Sequence, residues 1–199
     1  MVWYVKSVET TGGNGNGTTT NHVDLAHALT GGPTALGFDT YYGIAASLDM
    51  TPYAWIEDDQ VLFNGAPATN DVGFVVDNPG GRSGITDPNF TTRGVLPGIV
   101  EKATNFLAAR AVDSEPFFVY IPFSSPHTPH HVNAQFTNST SFNYGDFVVE
   151  TDHWVGEILD ALDDPDGNPG TDDGMASNTV VFLTSDNGPE TGAYTQSRS

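Results

Sequence analysis

The chain has 199 residues, 38% of them hydrophobic, with six Lys plus Arg against 25 Asp plus Glu and a formal net charge of −19. That size and apolar content fit one globular domain rather than a disordered chain. Such a surface repels nucleic acid and anionic membranes, arguing against both as partners. The absence of cysteine excludes disulfides, thiolate metal sites and a cysteine nucleophile within these residues.

The acid is mostly Asp, and Lys occurs only as Lys6 and Lys102. This bias suits a salt-rich environment, although a merely acidic surface explains it more economically. The longest apolar runs are about eight residues, well short of the roughly 20 that span a bilayer. The opening Met1–Thr10 lacks the basic region and apolar core of a signal peptide.

In chain order, residues 1–37 are dominated by Gly, Thr and Asn and read as loop, with a weak apolar patch at Val23, Leu25, Ala26, Ala28 and Leu29. Residues 38–95 open on an aromatic segment expected to pack. Tyr53–Ile56 and Gln60–Phe63 then flank Glu57-Asp58-Asp59 as a β-hairpin with an acidic turn. From residue 64 the segment is rich in Gly, Pro, Asn and Asp, with little periodicity. Residues 96–190 hold a helix-strand-helix-strand core. Pro97 suits a first helical turn, and Ile99, Val100, Ala103, Phe106, Leu107 and Arg110 follow helical spacing.

The run 117–124 reads as a buried strand, followed by a loop carrying His127. A long helix comes next, with Tyr144, Val148, Val155, Ile158, Leu159 and Leu162 as its stripe. After the acidic loop Asp164–Gly174, Thr179–Thr184 reads as a second buried strand running into Ser185-Asp186-Asn187-Gly188. Strands joined through a helix predict an α/β fold with a mostly parallel sheet. Ligands of such sheets sit beyond the strands' carboxyl ends. Asp186 and Asn187 therefore fall where oxygen donors can meet a hard cation such as calcium, though the same pair is common in plain turns. Two convincing core strands and some ninety poorly periodic residues are little for such a sheet, so the chain reads as a piece of a larger domain.

His127 reads as a site imidazole or as a surface-loop residue. With His130 and His131 it admits a weaker zinc reading, for no Cys, Asp or Glu lies close by in sequence. Counted as a calcium hand from Asp164, the acidic loop puts Pro169 at the sixth position and Met175 at the twelfth, where Gly and Glu are needed. A solvated loop is the better reading. Trp154 and Val155 read as core, and Glu150 and Asp152 as helix-surface or capping groups.

Taken in order, five stretches resemble the sulfatase family of the alkaline-phosphatase-like superfamily: Gly31–Gly43, Ala46–Tyr53 with the hairpin behind it, Pro116–Pro129, Tyr144–Gly156 and Asn178–Gly188. The resemblance implies a partial alkaline-phosphatase-like α/β sandwich spanning 1–199, from the middle of a catalytic domain. It implies hydrolysis of the sulfate ester of a small molecule or carbohydrate. There a formylglycine made from Cys or Ser attacks sulfur while calcium polarises the sulfate oxygens. By position, Asp186 and Asn187 match two calcium ligands, His127 a catalytic, sulfate-contacting histidine, and Ser47 a serine that reaches substrate in some members. Sulfatases of this kind are usually exported, which points to the periplasm or the cell exterior.

The departures matter equally. No Cys-x-Pro-Ser-Arg or Ser-x-Pro-Ser-Arg occurs here, and neither do the paired N-terminal aspartates that complete the calcium shell in the family or the Gly-Lys-Trp-His motif. The chain alone is therefore expected to be inactive. Two alternatives remain open: a phosphodiesterase or phosphatase of the same superfamily, holding two zinc ions, and a non-catalytic acidic module binding calcium or carbohydrate.

Overall fold

A computed structural model describes residues 25–69, 75–113 and 115–189. The N-terminal loop expectation for residues 1–24, including Val23, lies outside the described residues. The chain divides into two compact units, Met1–Thr91 and Thr92–Ser199, and each is described by itself.

The first unit is built on antiparallel strands. β1 (Tyr42–Ile44), β2 (Trp55–Glu57), β3 (Gln60–Phe63) and β4 (Ala66–Pro67) form one sheet in that order. The expected hairpin is β2–β3, in register Ile56↔Val61 and Glu57↔Gln60. Its turn places Asp58 at φ +54, a left-handed conformation that Asp and Asn tolerate better than bulky residues. The next turn is equally short. Asn64 and Gly65 both have positive φ, +51 and +78, as a two-residue hairpin loop of the primed kind requires. Inward residues Ala54, Ile56 and Val61 form a cluster with Leu25 and Ala45, against which Leu29, Tyr41 and Ile85 pack.

A second antiparallel pair, β5 (Val75–Asp77) and β6 (Gly84–Thr86), is held to this unit through Tyr53. The Tyr53 amide donates to Ile85 O at 2.8 Å, and the Asp87 amide donates to Tyr53 O at 2.9 Å. The segment around Gly80 lies on the turn that follows β1. A Cβ at Gly80 would sit 1.7 Å from the Leu48 carbonyl oxygen, inside any van der Waals contact. Gly80→Ala is therefore expected to lower the stability of this unit by about 2–3 kcal/mol, the range for forcing backbone apart in a packed site. Unchanged thermal unfolding of Gly80→Ala would show that the approach is not tight in solution.

The second unit is helical. α1 (Val95–Ala111) buries Leu96, Val100, Ala103 and Leu107, spaced four, three and four residues apart as one face of a helix demands. Pro97 lies in its first turn, where a missing N–H costs nothing. α2 (Asn143–Asp163) buries Gly145, Asp146, Phe147, Glu150 and Leu162.

Several expectations are corrected here. The sheet is antiparallel, not parallel. The runs 117–124 and 179–184 pair with no strand among the described residues; 180–184 is exposed, Phe182 by 90%, and 117–124 alternates between half-buried and exposed residues, Phe117 meeting the Phe106 ring of α1 and Phe118 being 76% exposed. An apolar run becomes a buried strand only when neighbours supply hydrogen bonds on its edges and cover on its faces. Among the described residues no strand supplies those bonds, and cover is at most one-sided. The expected stripe of α2 is largely not its buried face, since Val148 and Leu159 are exposed and Tyr144, Trp154, Val155 and Ile158 only half-buried. That helix turns a polar stripe inward because Asp146 and Glu150 find hydrogen-bond donors there. Residues 64–95, read as loop, hold β4, β5 and β6. Among the described residues no helix is long and apolar enough to cross a membrane.

Candidate functional site

His127 sits in the loop between the 117–124 run and the short helical turn Ala134–Phe136. Its ring is exposed, with Nδ1 2.6 Å from Thr128 O, and its amide donates to Ser124 O at 3.2 Å. A carbonyl can only accept, so Nδ1 carries the proton and Nε2 is left to meet a ligand as an acceptor, or as a donor when the ring is charged.

The rest of the loop is pinned from both helices. Ser125 Oγ lies 2.9 Å from Thr151 Oγ1 on α2. His130 packs against Tyr144 and Phe147 at ring separations of 5.5 and 6.2 Å. His131 Nδ1 lies 2.5 Å from Thr92 Oγ1, and burial, helped by the nearby Arg93 and His130, pushes its pKa down. Arg93 Nε donates to Val132 O, and Asn133 Nδ2 donates back to Arg93 O, both at 2.9 Å.

Two buried carboxylates complete this scaffold, and sequence reasoning missed both. Glu150, read as a surface or capping group, is fully buried and accepts from the Asn133 amide at 2.8 Å, Asn133 Nδ2 at 2.6 Å and Trp154 Nε1 at 3.3 Å. Asp146 accepts from the amides of Asn138 and Thr140 at 2.9 and 2.6 Å and from Thr140 Oγ1 at 2.9 Å. Asp152, in contrast, is exposed as expected.

Asp186 and Asn187 lie on the exposed tip after the 179–184 run. Asn187 Nδ2 donates to Gly188 O at 2.7 Å, and Ser185 Oγ donates to Asn187 O, also at 2.7 Å. With its NH2 bonded to Gly188 O, the exposed Asn187 amide keeps its oxygen as an acceptor. Neither that oxygen nor the Asp186 carboxylate accepts a hydrogen bond from a described residue. Two oxygen donors on adjacent exposed residues suit a hard cation, although calcium takes six to eight, so the pair is a partial shell.

The two tips share a neighbour. Pro126, beside His127, and Leu183, three residues before Asp186, line one groove of about 190 Å³ with Val148, Thr151, Asp152 and Val155 of α2. Ser47 belongs to the first unit. It is half-buried in the turn after β1, and its hydroxyl donates to Asp49.

Among the described residues, one group of three His, Asp or Glu brings its ligand atoms together: Asp164, Asp166 and Asp173, all within 4.8 Å. The zinc reading of His127, His130 and His131 is not supported, because their rings are committed separately to Thr128, to the Tyr144 and Phe147 rings, and to Thr92. In the acidic loop Asp166 Oδ1 instead accepts from the Asn168 amide and Thr171 Oγ1.

Comparison with known proteins gives the class. The Sulfatase family model matches residues 16–198; the chain belongs to the sulfatase family. A "Sulfatase" of Formosa agariphila is 32% identical over 49% of this chain and 20% of its own length, and the steryl-sulfatase of Rattus norvegicus is 34% identical over 52% and 16%. An N-acetylgalactosamine-6-O-sulfatase of Bacteroides thetaiotaomicron is 25% identical over 83% of this chain and 37% of its own. The chain thus spans between about a sixth and two fifths of these relatives. A solved Bacteroides thetaiotaomicron structure, described with a core genetic locus for glycosaminoglycan metabolism, superposes with a TM-score of 0.57 over 71% of this chain and 36% of that one, at 20% identity. That likeness shows a shared fold.

Proposed function

We propose that this chain is the central portion of a sulfatase catalytic domain that hydrolyses sulfate esters at a calcium-assisted site. The carrying observation is one groove lined by Pro126 and Leu183, the first next to the exposed imidazole of His127 and the second three residues before Asp186 and Asn187, whose side-chain oxygens accept from no described residue, within a chain matched along 16–198 to the family. In this reading His127 Nε2 meets the sulfate or the leaving oxygen, and Asp186 and Asn187 Oδ1 supply a share of the calcium shell. Bound there, calcium would polarise the sulfate and offset the repulsion that a chain of net charge −19 exerts on an anion. Ser47 is a further substrate-contacting residue in this reading. The nucleophile is a formylglycine supplied by residues outside this sequence.

Resonance-by-resonance titration of the purified chain tests this. Calcium is expected to shift the amides of Asp186 and Asn187, and an aryl sulfate to shift His127. Asp186→Asn should remove the first response and His127→Ala the second. Responses confined to other residues sink the assignment. The same sample should release no product from a chromogenic aryl sulfate, since the chain has no Cys and no Ser in the modification motif. Turnover would overturn the assignment of the nucleophile.

A further inference from the structure

The Asp49 carboxylate engages both of its oxygens: Oδ1 accepts the Ser47 hydroxyl, and Oδ2 lies 2.9 Å from Arg82 Nη2. A carboxylate paired with a guanidinium only accepts, and a serine has one proton. Ser47 therefore spends its proton on Asp49 and offers a ligand lone pairs alone. It cannot donate to a sulfate oxygen while this bond stands.

Arg82 is the complement. The described arginines differ in their ties: Arg93 Nε is tied to the Val132 carbonyl, and Arg110 pairs with Asp113 at 3.0 Å. The Arg82 side chain is 62% exposed and uses one of its five donors on Asp49. Its backbone is not free to wander. Gly80 is seated on the Leu48 carbonyl, a Cβ at Gly84 would strike the Thr51 side chain at 2.2 Å, and Tyr53 OH donates to Arg82 O at 2.9 Å. The loop carrying Arg82 is thus locked onto the turn carrying Ser47, and one carboxylate joins their polar ends. In a chain of net charge −19, a guanidinium fixed beside a hydroxyl is a rare place for an anion to settle.

We infer that Ser47 and Arg82 are specificity-determining residues, and Asp49 the residue that positions them, for an anionic ester with a free hydroxyl beside the ester carbon: Arg82 donates to the anionic oxygens, and Ser47 accepts from the hydroxyl. This rests on reading Ser47 as a substrate contact. It goes further in assigning the direction of each hydrogen bond.

The test is a pair of ligands differing by one hydroxyl, cyclohexyl sulfate and 2-hydroxycyclohexyl sulfate, titrated against the whole chain with calcium present. The hydroxylated ester should bind about tenfold tighter, the usual order for one net hydrogen bond in a half-buried site. Ser47→Ala should erase that preference. Arg82→Gln should weaken both esters about tenfold and keep the preference, and Arg82→Lys should recover some of the loss. Asp49→Ala should reduce the preference although Ser47 remains, because the hydroxyl loses the acceptor that holds its proton away from the ligand. Amide spectra establish that each variant is folded. Equal affinities in the wild-type chain, or a preference surviving Ser47→Ala, overturn the inference and leave the sulfatase reading standing. If neither ester binds, both fall.

Discussion

Asp146→Ala is expected to lower the stability of the second unit by about 3 kcal/mol. The carboxylate is 1% exposed and accepts three hydrogen bonds, two of them from backbone amides of the 138–140 turn. Bonds to a charged acceptor contribute roughly 1.5–3 kcal/mol each, and a donor stranded without a partner costs about 1–3 kcal/mol. The sum is not realised in full. Asn138 is exposed and Thr140 half-buried, so water replaces some of what is lost. Asp146 also lies in the first turn of α2, where the free amides of the helix end favour a negative charge. Asp146→Asn should recover only a fraction of the loss, because its NH2 must face an amide donor. Urea unfolding measures this directly, and a loss below about 1 kcal/mol would show that the turn is solvated rather than clamped. Glu150, a turn further along α2, holds Asn133 in the same way, so the two carboxylates together fix the chain leading away from His127.

Elements closed by local chemistry are the ones a sequence states openly. The β2–β3 hairpin announces itself through β-rich flanks around an acidic turn, and α1 through the spacing of Leu96, Val100, Ala103 and Leu107. The turn after β3 is legible too: Asn64-Gly65 between short flanks is a strong hairpin signal, obscured by the loop-like composition around it. Asp146 and Glu150 carry no such mark. Most of their donors lie 6 to 17 residues away, and an acidic residue on a helix normally faces water. The candidate site is intermediate. The residue types of the two tips are stated by the sequence, whereas the groove that Pro126 and Leu183 share with α2, and the bond that commits the Ser47 proton, emerge only once the residues are placed in space.

The apolar runs 117–124 and 179–184 give the second large effect, one of contrast. By composition they are core strands, and Phe182→Lys in a core strand should cost several kcal/mol, since burying a phenylalanine is worth about 1.5–3 kcal/mol and an unpaired buried charge costs more. Phe182 is 90% exposed, with Val180 at 79% and Leu183 at 77%. The substitution in this chain should therefore change stability by no more than about 0.5 kcal/mol, while Leu107→Ala, 3% exposed on α1, should cost about 2–5 kcal/mol. A second consequence follows from the same geometry. Exposed apolar runs with unpaired backbone edges are templates for other chains, so the wild-type chain should associate as its concentration rises and Phe182→Lys should reduce that tendency. Thermal unfolding and light scattering on the two variants decide it. If Phe182→Lys destabilises the chain as severely as Leu107→Ala, the 179–184 run is covered in solution, and the strand that the sequence leads one to expect has found its neighbours.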